Sequence, residues 1–226
     1  MKITAEFIIS AATARDFPHD DVPEIAMVGR SNVGKSSLIN ALTRQRIART
    51  SAAPGKTRLA NIYRVDRGNG PLYLVDLPGY GYAKGGDASV REFEALTRAY
   101  FGQVSPSAIL LVDARHPGLE TDVAAWEWLQ GAVAERCAIV ATKIDKLARG
   151  ERIRAMREFE SVFETSVLPV SAVTGEGLDE LWKLIDRLAN NRNSRTRRSS
   201  QPRPPQKGTA LRRPPPNPAA ARSTRR

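Results

Sequence analysis

Six short apolar runs punctuate the chain: Ile25–Val28, Asn61–Val65, Leu72–Val75, Ile109–Val112, Ala138–Ala141 and Val167–Val170. Between them lie stretches of helical spacing that start near Lys35, Val90, Glu120, Arg149 and Gly177. Runs of four or five β-prone residues with polar or glycine-rich flanks predict buried strands. Their alternation with helices predicts an α/β fold with a mostly parallel six-stranded sheet and helices on both faces. The second and third runs lie too close for a helical crossover, so they should pair antiparallel and give the sheet one antiparallel strand. In such a sheet, functional sites are expected beyond the carboxyl ends of the strands.

After Asn190 the pattern stops. The remaining residues are mostly Arg, Ser, Gln, Pro and Ala, and they include seven of the fifteen prolines. Such a segment buries too little surface to offset its ordering entropy, so residues 191–226 are expected to be a disordered basic tail. The formal net charge of +11 belongs to this end of the chain. Residues 187–226 hold eleven Arg, one Lys and no acidic residue, whereas residues 1–186 carry a net charge of −1. Twelve cations on such a segment attract polyanions in a salt-dependent, largely sequence-independent way. Residues 1–22 are expected to pack as an N-terminal extension on a single domain spanning 23–190.

Cys137 is the one cysteine, which excludes an intrachain disulfide and suits a buried small hydrophobe in a reducing compartment. No stretch approaches 18 consecutive apolar residues, and Glu6 precedes only the brief patch Phe7–Ile9. Neither a membrane span nor a signal peptide is predicted, and the expected setting is cytoplasmic. Trp126 and Trp128 are two residues apart and cannot share a helix face, so one should be core and the other near the surface. His19 and His116 stand apart from any ligand cluster.

The run Ile25–Val28 is followed by Gly29-Arg30-Ser31-Asn32-Val33-Gly34-Lys35-Ser36, which fits G-x-x-x-x-G-K-[ST]. Two glycines let the backbone curl so that N–H groups converge on the α- and β-phosphates of a nucleotide, and the next helix begins with its positive dipole end there. Lys35 would place a point charge on the β- and γ-phosphates, and the Ser36 hydroxyl can ligate Mg²⁺. The chain is therefore expected to be a P-loop NTPase.

Asp76-Leu77-Pro78-Gly79 follows the run Leu72–Val75. There an Asp can approach Mg²⁺ through water and a Gly N–H can reach the γ-phosphate, although a chain of this length holds about one D-x-x-G by chance. Thr57, in Pro54-Gly55-Lys56-Thr57, lies 21 residues after Ser36 in a polar segment, where a switch threonine would complete the Mg²⁺ shell. Thr142-Lys143-Ile144-Asp145 follows the fifth run and matches [NT]-K-x-D. Its Asp145 carboxylate can accept from N1–H and the 2-amino group of guanine. Adenine lacks both donors, and each buried group left unsatisfied costs about 1–3 kcal/mol. Ser171-Ala172 follows the sixth run, where an N–H could contact guanine O6.

With these elements in order, the chain resembles the EngB-type GTP-binding proteins, within the translation-factor-related class of small GTPases. The likeness is carried by Gly29 to Asn40, Pro54 to Thr57, Asp76-Leu-Pro-Gly-Tyr-Gly-Tyr-Ala-Lys84 and Thr142 to Asp145. It runs from about Phe7 to Leu188, leaving the arginine-rich tail outside. The resemblance implies a Ras-like G domain over 23–190 and a GTPase acting in assembly of the large ribosomal subunit, in a family associated with cell division and septation. Expected partners are GTP and GDP and the large subunit or its precursors, including rRNA, with the protein a monomer. Carried over by motif, the nucleotide contacts are Gly29, Arg30, Ser31, Asn32, Val33, Gly34, Lys35, Ser36 and Ser37, then Gly55, Lys56, Thr57, Arg58 and Leu59. Asp76, Leu77, Pro78 and Gly79 complete the phosphate side. Thr142, Lys143, Ile144, Asp145 and Lys146, with Val170, Ser171 and Ala172, form the base side. Mg²⁺ would be held by Ser36 and Thr57, with Asp76 acting through water.

In-line attack of water on the γ-phosphate would rely on Lys35, Thr57 and Gly79 for positioning and charge neutralisation. In Ras-like GTPases a Gln follows the D-x-x-G glycine, whereas here the position is Tyr80. A phenol is a poor substitute for a carboxamide, so intrinsic turnover is expected to be slow. Asn32 occupies the phosphate-loop position that ligates K⁺ in potassium-activated GTPases and is a candidate to recruit that cation. Tyr82 and Lys84 could present an aromatic and a charge to RNA or a partner in the GTP state alone. The competing reading is a general RNA-binding protein driven by its tail, with a structural nucleotide site.

Overall fold

All six apolar runs fold as strands, and the N-terminal Thr4–Ala11 adds a seventh. The computed structural model describes residues 2–49, 59–80, 95–102 and 106–199. Along the chain these form β1 (Thr4–Ala11), β2 (Glu24–Gly29), α1 (Lys35–Thr43), β3 (Ala60–Asp66), β4 (Pro71–Asp76) and α2 (95–102). Then follow β5 (Ser107–Asp113), α3 (Glu120–Val133), β6 (Cys137–Thr142), α4 (Arg149–Phe163), β7 (Val167–Pro169) and α5 (Leu178–Ser199).

The sheet order is β1-β3-β4-β2-β5-β6-β7. Strand β3 is antiparallel to both neighbours and the other pairings are parallel, so a single strand runs against the rest. Among the described residues the expected strand count of six is corrected to seven. Strand β1 escapes a periodicity reading because it is an edge strand in which Phe7, Ile8 and Ile9 are all exposed, and a bulge between Phe7 and Ile9 breaks the alternation.

Every residue of β2 and β5 is buried, as central strands covered on both faces require. Alternation along these strands sorts the core into two layers. Ile25, Met27, Ile109 and Leu111 pack with Leu38, Ile39 and Leu42 of α1 and Leu181, Ile185 and Leu188 of α5. Ala26, Val28, Leu110 and Val112 face α2, α3 and α4 through Tyr100, Leu129 and Phe159. Full burial of one large apolar side chain contributes about 1.5–3 kcal/mol, so these layers fix where the strand ends stand.

Trp126 is core, edge-on to Phe163, while Trp128 is half-buried and edge-on to Phe101. Cys137 is half-buried rather than buried, because it opens β6. Burial still pushes its thiol up to about 11. Helix α5 continues to Ser199, beyond the domain end expected at residue 190. Its buried apolar residues stop at Ala189, and the absence of proline before Pro202 lets the backbone propagate past them.

Candidate nucleotide site

Strand β2 lies where the strand order turns, with β4 on one side and β5 on the other, and the phosphate-loop sequence leaves from its carboxyl end. The loop closes on Gly34, which caps α1 at φ +111°, a left-handed conformation that favours glycine. Asn32 is also left-handed, at φ +63°, and exposed. Lys35 is buried, and its ammonium donates to the carbonyls of Gly29 at 2.9 Å and Arg30 at 3.2 Å, spanning the loop from beneath. Burial pulls the Lys35 pKa down, and the charge of Asp76 opposes that shift.

Asp76 ends β4 beside Met27 of β2, which brings it to the start of α1. The Ser36 hydroxyl donates to its carboxylate at 2.7 Å. Burial pushes the Asp76 carboxyl up, with Lys35 and Ser36 working against it. One hydroxyl and one carboxylate oxygen, side by side near a buried ammonium, form the hard oxygen donor set that suits Mg²⁺.

Gly79 packs directly on the phosphate loop. A Cβ there would stand 2.6 Å from the Ser31 nitrogen and 2.7 Å from its Cα, so only glycine fits. The next residue continues the contact: Ser31 N–H donates to the Tyr80 carbonyl at 3.1 Å, and Arg30 and Tyr80 form a parallel bridge. The Tyr80 hydroxyl donates to Asp122 in the first turn of α3 at 2.9 Å. Burial drives both acids upward in pKa, Tyr80 further by the neighbouring Asp122 charge.

The base-side element is sewn to the same loop. Thr142, at the end of β6, donates to the carbonyls of Val33 at 2.7 Å and Val112 at 3.0 Å. Lys143 donates to the Asn32 carbonyl at 2.6 Å and to Asp113 at 2.9 Å. Arg115 grips the same Asp113 through two bonds of 2.9 and 2.7 Å. Burial pushes the Asp113 carboxyl up, but the Arg115 and Lys143 hydrogen bonds outweigh it and hold it well below the usual carboxylate range. The Ser171 hydroxyl donates to Asp145 at 2.7 Å and lowers its pKa, leaving a charged carboxylate with a fixed orientation. Ser171 itself is held by Val173 and Thr174, whose N–H groups donate to its hydroxyl oxygen.

The fold thus collects Gly29–Ser37, Asp76–Gly79, Thr142–Lys146 and Val170–Ala172 along the carboxyl ends of β2, β4, β6 and β7. Leu59 is exposed just before β3, while Gly55, Lys56, Thr57 and Arg58, with Tyr82, Lys84 and the tail from residue 200, lie outside the described residues. Sequence reasoning missed Asp113, Arg115 and Asp122. An Asp closing the fourth apolar run beside an Arg two positions on was a usable signal for the first pair; Asp122 had none. Among the described residues no cluster of His, Cys, Asp and Glu forms a metal site, and no helix is long and apolar enough to cross a membrane.

Comparison with known proteins agrees with this geometry. Residues 24–143 match the family described as 50S ribosome-binding GTPase. The probable GTP-binding protein EngB of Pelotomaculum thermopropionicum is 44% identical over 200 residues, covering 83% of this chain and 96% of the relative. Among solved structures, Era in complex with MgGDPNP and nucleotides 1506–1542 of 16S ribosomal RNA superposes with a TM-score of 0.64 at 25% identity. That match covers 74% of this chain, which spans 56% of Era. A crystal structure of a probable GTP-binding protein engB shares the fold, with a TM-score of 0.55 at 23% identity over 74% of this chain and 99% of that one. Identity at this level over most of both chains, on a fold that brings the phosphate-loop and base-side motifs to one sheet edge, means that the chain belongs to the EngB family of GTP-binding proteins and carries its GTPase domain.

Proposed function

We propose that this GTPase is a nucleotide-switched factor in assembly of the large ribosomal subunit, acting as a cytoplasmic monomer, with the cell-division and septation role of its family downstream of that task. The observation that carries the reading is the docking of Gly79 and Tyr80 on Arg30 and Ser31. A γ-phosphate sensor in direct contact with the phosphate loop registers whether the third phosphate is present. Its displacement changes the surface offered to a partner.

In this reading Gly29–Ser37 cradle the phosphates, and Lys35 exchanges its loop carbonyls for β- and γ-phosphate oxygens. Asp145, oriented by Ser171, accepts from the guanine N1–H and 2-amino groups, and the Ala172 N–H meets O6. Ser36, Asp76 through water and Thr57 would hold Mg²⁺, which supplies charge neutralisation between the β- and γ-phosphates when bound. Gly79 N–H orients the γ-phosphate for in-line attack by water. Tyr80 stands where Ras-like GTPases carry the water-orienting glutamine, so turnover is slow in this reading, and K⁺ beside Asn32 is the proposed remedy.

Co-sedimentation with purified large ribosomal subunits tests the proposal, comparing GDP with a non-hydrolysable GTP analogue at moderate salt. Binding by the full chain with the analogue and not with GDP supports the switch. Binding that ignores the nucleotide and disappears when residues 191–226 are removed supports the competing reading, a general RNA-binding protein driven by the ten Arg and one Lys of that C-terminal segment.

A further inference from the structure

Charge is segregated within the folded domain as well as in the tail. Residues 25–65 contain eight Lys or Arg and no Asp or Glu. Arg30 and Lys35 belong to the phosphate loop, Lys56 and Arg58 lie outside the described residues, and Arg64 stands opposite Glu6 on the sheet. The remaining three, Arg44, Arg46 and Arg49, occupy the six residues after α1. All three are exposed, and none pairs with a carboxylate among the described residues.

This segment is held in place. Arg44 caps α1 in a left-handed conformation, its N–H bonded to the Ala41 carbonyl. The Asn40 amide clamps Ala48 through two bonds of 2.8 Å, which buries Ala48 and leaves Arg46 and Arg49 outside. Gln45 donates to the Ile3 carbonyl at 3.3 Å, tying this segment to the start of β1 next to exposed Lys2. On the same sheet face Phe7 is 50% exposed, its ring 5.8 Å from that of Tyr63. Burial and the charge of Asp76 push the Tyr63 phenol up, and the charge of Arg49 works against them. The exposed residues Lys2, Arg44, Arg46, Arg49 and Phe7 make a basic and aromatic stripe where the segment after α1 meets the edge strand β1.

We infer that this stripe is an RNA-binding surface, in which Arg44, Arg46 and Arg49, with Lys2, contact phosphates of a single-stranded segment and Phe7 stacks on a base. Exposed guanidinium groups without a carboxylate partner among the described residues are free to take phosphates, which guanidinium favours through bidentate bonding. An exposed aromatic beside them supplies the flat face that unpaired bases seek. An acidic protein partner would use the cations and leave the aromatic without a specific role. The inference rests on the ribosomal reading for the source of the RNA, and its test needs no ribosome.

The test is anisotropy of the full-length protein with a single-stranded RNA of mixed sequence over a salt series, with heparin as a polyanion that has no bases. Replacing Arg44, Arg46 and Arg49 together by Gln should lower the salt slope by about 2, at roughly 0.7 for each single-strand phosphate contact. Phe7→Ala should weaken RNA binding about tenfold, leave heparin binding and the salt slope unchanged, and be rescued by Phe7→Trp. Wild-type affinity and slope in the triple variant would overturn the surface, even if nucleotide-dependent binding to large subunits persists. Equal losses for RNA and heparin in the triple variant, with no effect of Phe7→Ala, would overturn RNA in favour of an acidic partner. RNA binding through the stripe with no nucleotide-dependent binding to subunits would sink the ribosomal switch and leave this surface standing.

Discussion

The hydroxyl of Tyr80 donates to the carboxylate of Asp122 across 2.9 Å, tying the residue after the D-x-x-G glycine to the first turn of α3. The Tyr80 backbone is at the same time bonded to Ser31 of the phosphate loop. The phenol that replaces the water-orienting carboxamide therefore serves as a strut between phosphate loop and helix. The Asp122 oxygen that Tyr80 does not reach is buried without a partner among the described residues.

Removing the strut should cost stability. Tyr80→Phe leaves a buried carboxyl without its donor, and the expected loss is about 1–2 kcal/mol in chemical denaturation. The same variant should shift the ratio of GTP to GDP affinity, because Gly79 loses its outer anchor. An unchanged ratio alongside lowered stability would reduce Tyr80 to a packing residue.

Asp122 also makes a pH prediction. Burial raises its pKa, with Asp113 adding to the rise and Tyr80, Arg30 and His116 opposing it. A raised carboxyl pKa means that the folded state holds the proton more tightly than the unfolded chain does. Its contribution to stability is thus fully present below the unfolded value of about 3.9 and is lost as pH rises through the folded value. Asp122→Asn removes this dependence and keeps an acceptor for Tyr80. The melting temperature of Asp122→Asn relative to wild type should climb between about pH 4 and neutrality, and a constant difference would contradict the assignment.

Gly79→Ala drives a Cβ into the backbone of Ser31 and must part the D-x-x-G segment from the phosphate loop. GDP affinity should be nearly unchanged, whereas affinity for a non-hydrolysable GTP analogue should fall at least tenfold, about 1.4 kcal/mol. Calorimetric titration with both nucleotides checks this.

On the base side, Asp145→Asn should lower GTP affinity about tenfold to a hundredfold by leaving guanine donors unpaired, and should favour xanthine, which presents a 2-oxo acceptor. Ser171→Ala should weaken GTP by about fivefold through loss of one orienting bond. The Ser171 bond keeps the Asp145 pKa low, so the acid limit of nucleotide binding should move to higher pH in Ser171→Ala. A fluorescent GDP analogue titrated across pH gives both readings.

Asp113 receives Arg115 and Lys143, and so holds in place the ammonium that also donates to the Asn32 carbonyl of the phosphate loop. Asp113→Asn cannot satisfy both cations, and GTP and GDP affinities should drop together by about tenfold. That parallel loss contrasts with the selective effect of Gly79→Ala. Single-turnover hydrolysis should be slow in Na⁺ and about tenfold faster in K⁺, a change of about 1.4 kcal/mol in the barrier, with the gain abolished by Asn32→Ala. Equal rates in the two salts would remove K⁺ from the scheme.

The local features of this protein were legible from its sequence because their physics is local. Gly34 must turn left-handed between a strand and a helix, and a run such as Ile109–Val112 must be buried on both faces, so each leaves its mark within a few residues. The phosphate loop, D-x-x-G and T-K-x-D could be read off in order for this reason. Tertiary structure decided what joins them. Asp122 meets Tyr80 across 42 positions, Lys143 meets Asp113 across 30, and Thr142 meets Val33 across 109. Neither the isolated Asp122 nor the partner that a motif residue such as Thr142 takes at such separation leaves a periodic signal, since that partner is chosen by which strand ends the sheet order makes neighbours. Strand β1 was hidden for a related reason: half its environment is solvent and its register belongs to β3. The sequence determines which groups can touch a nucleotide, and the packing of seven strands determines which of them are held rigid.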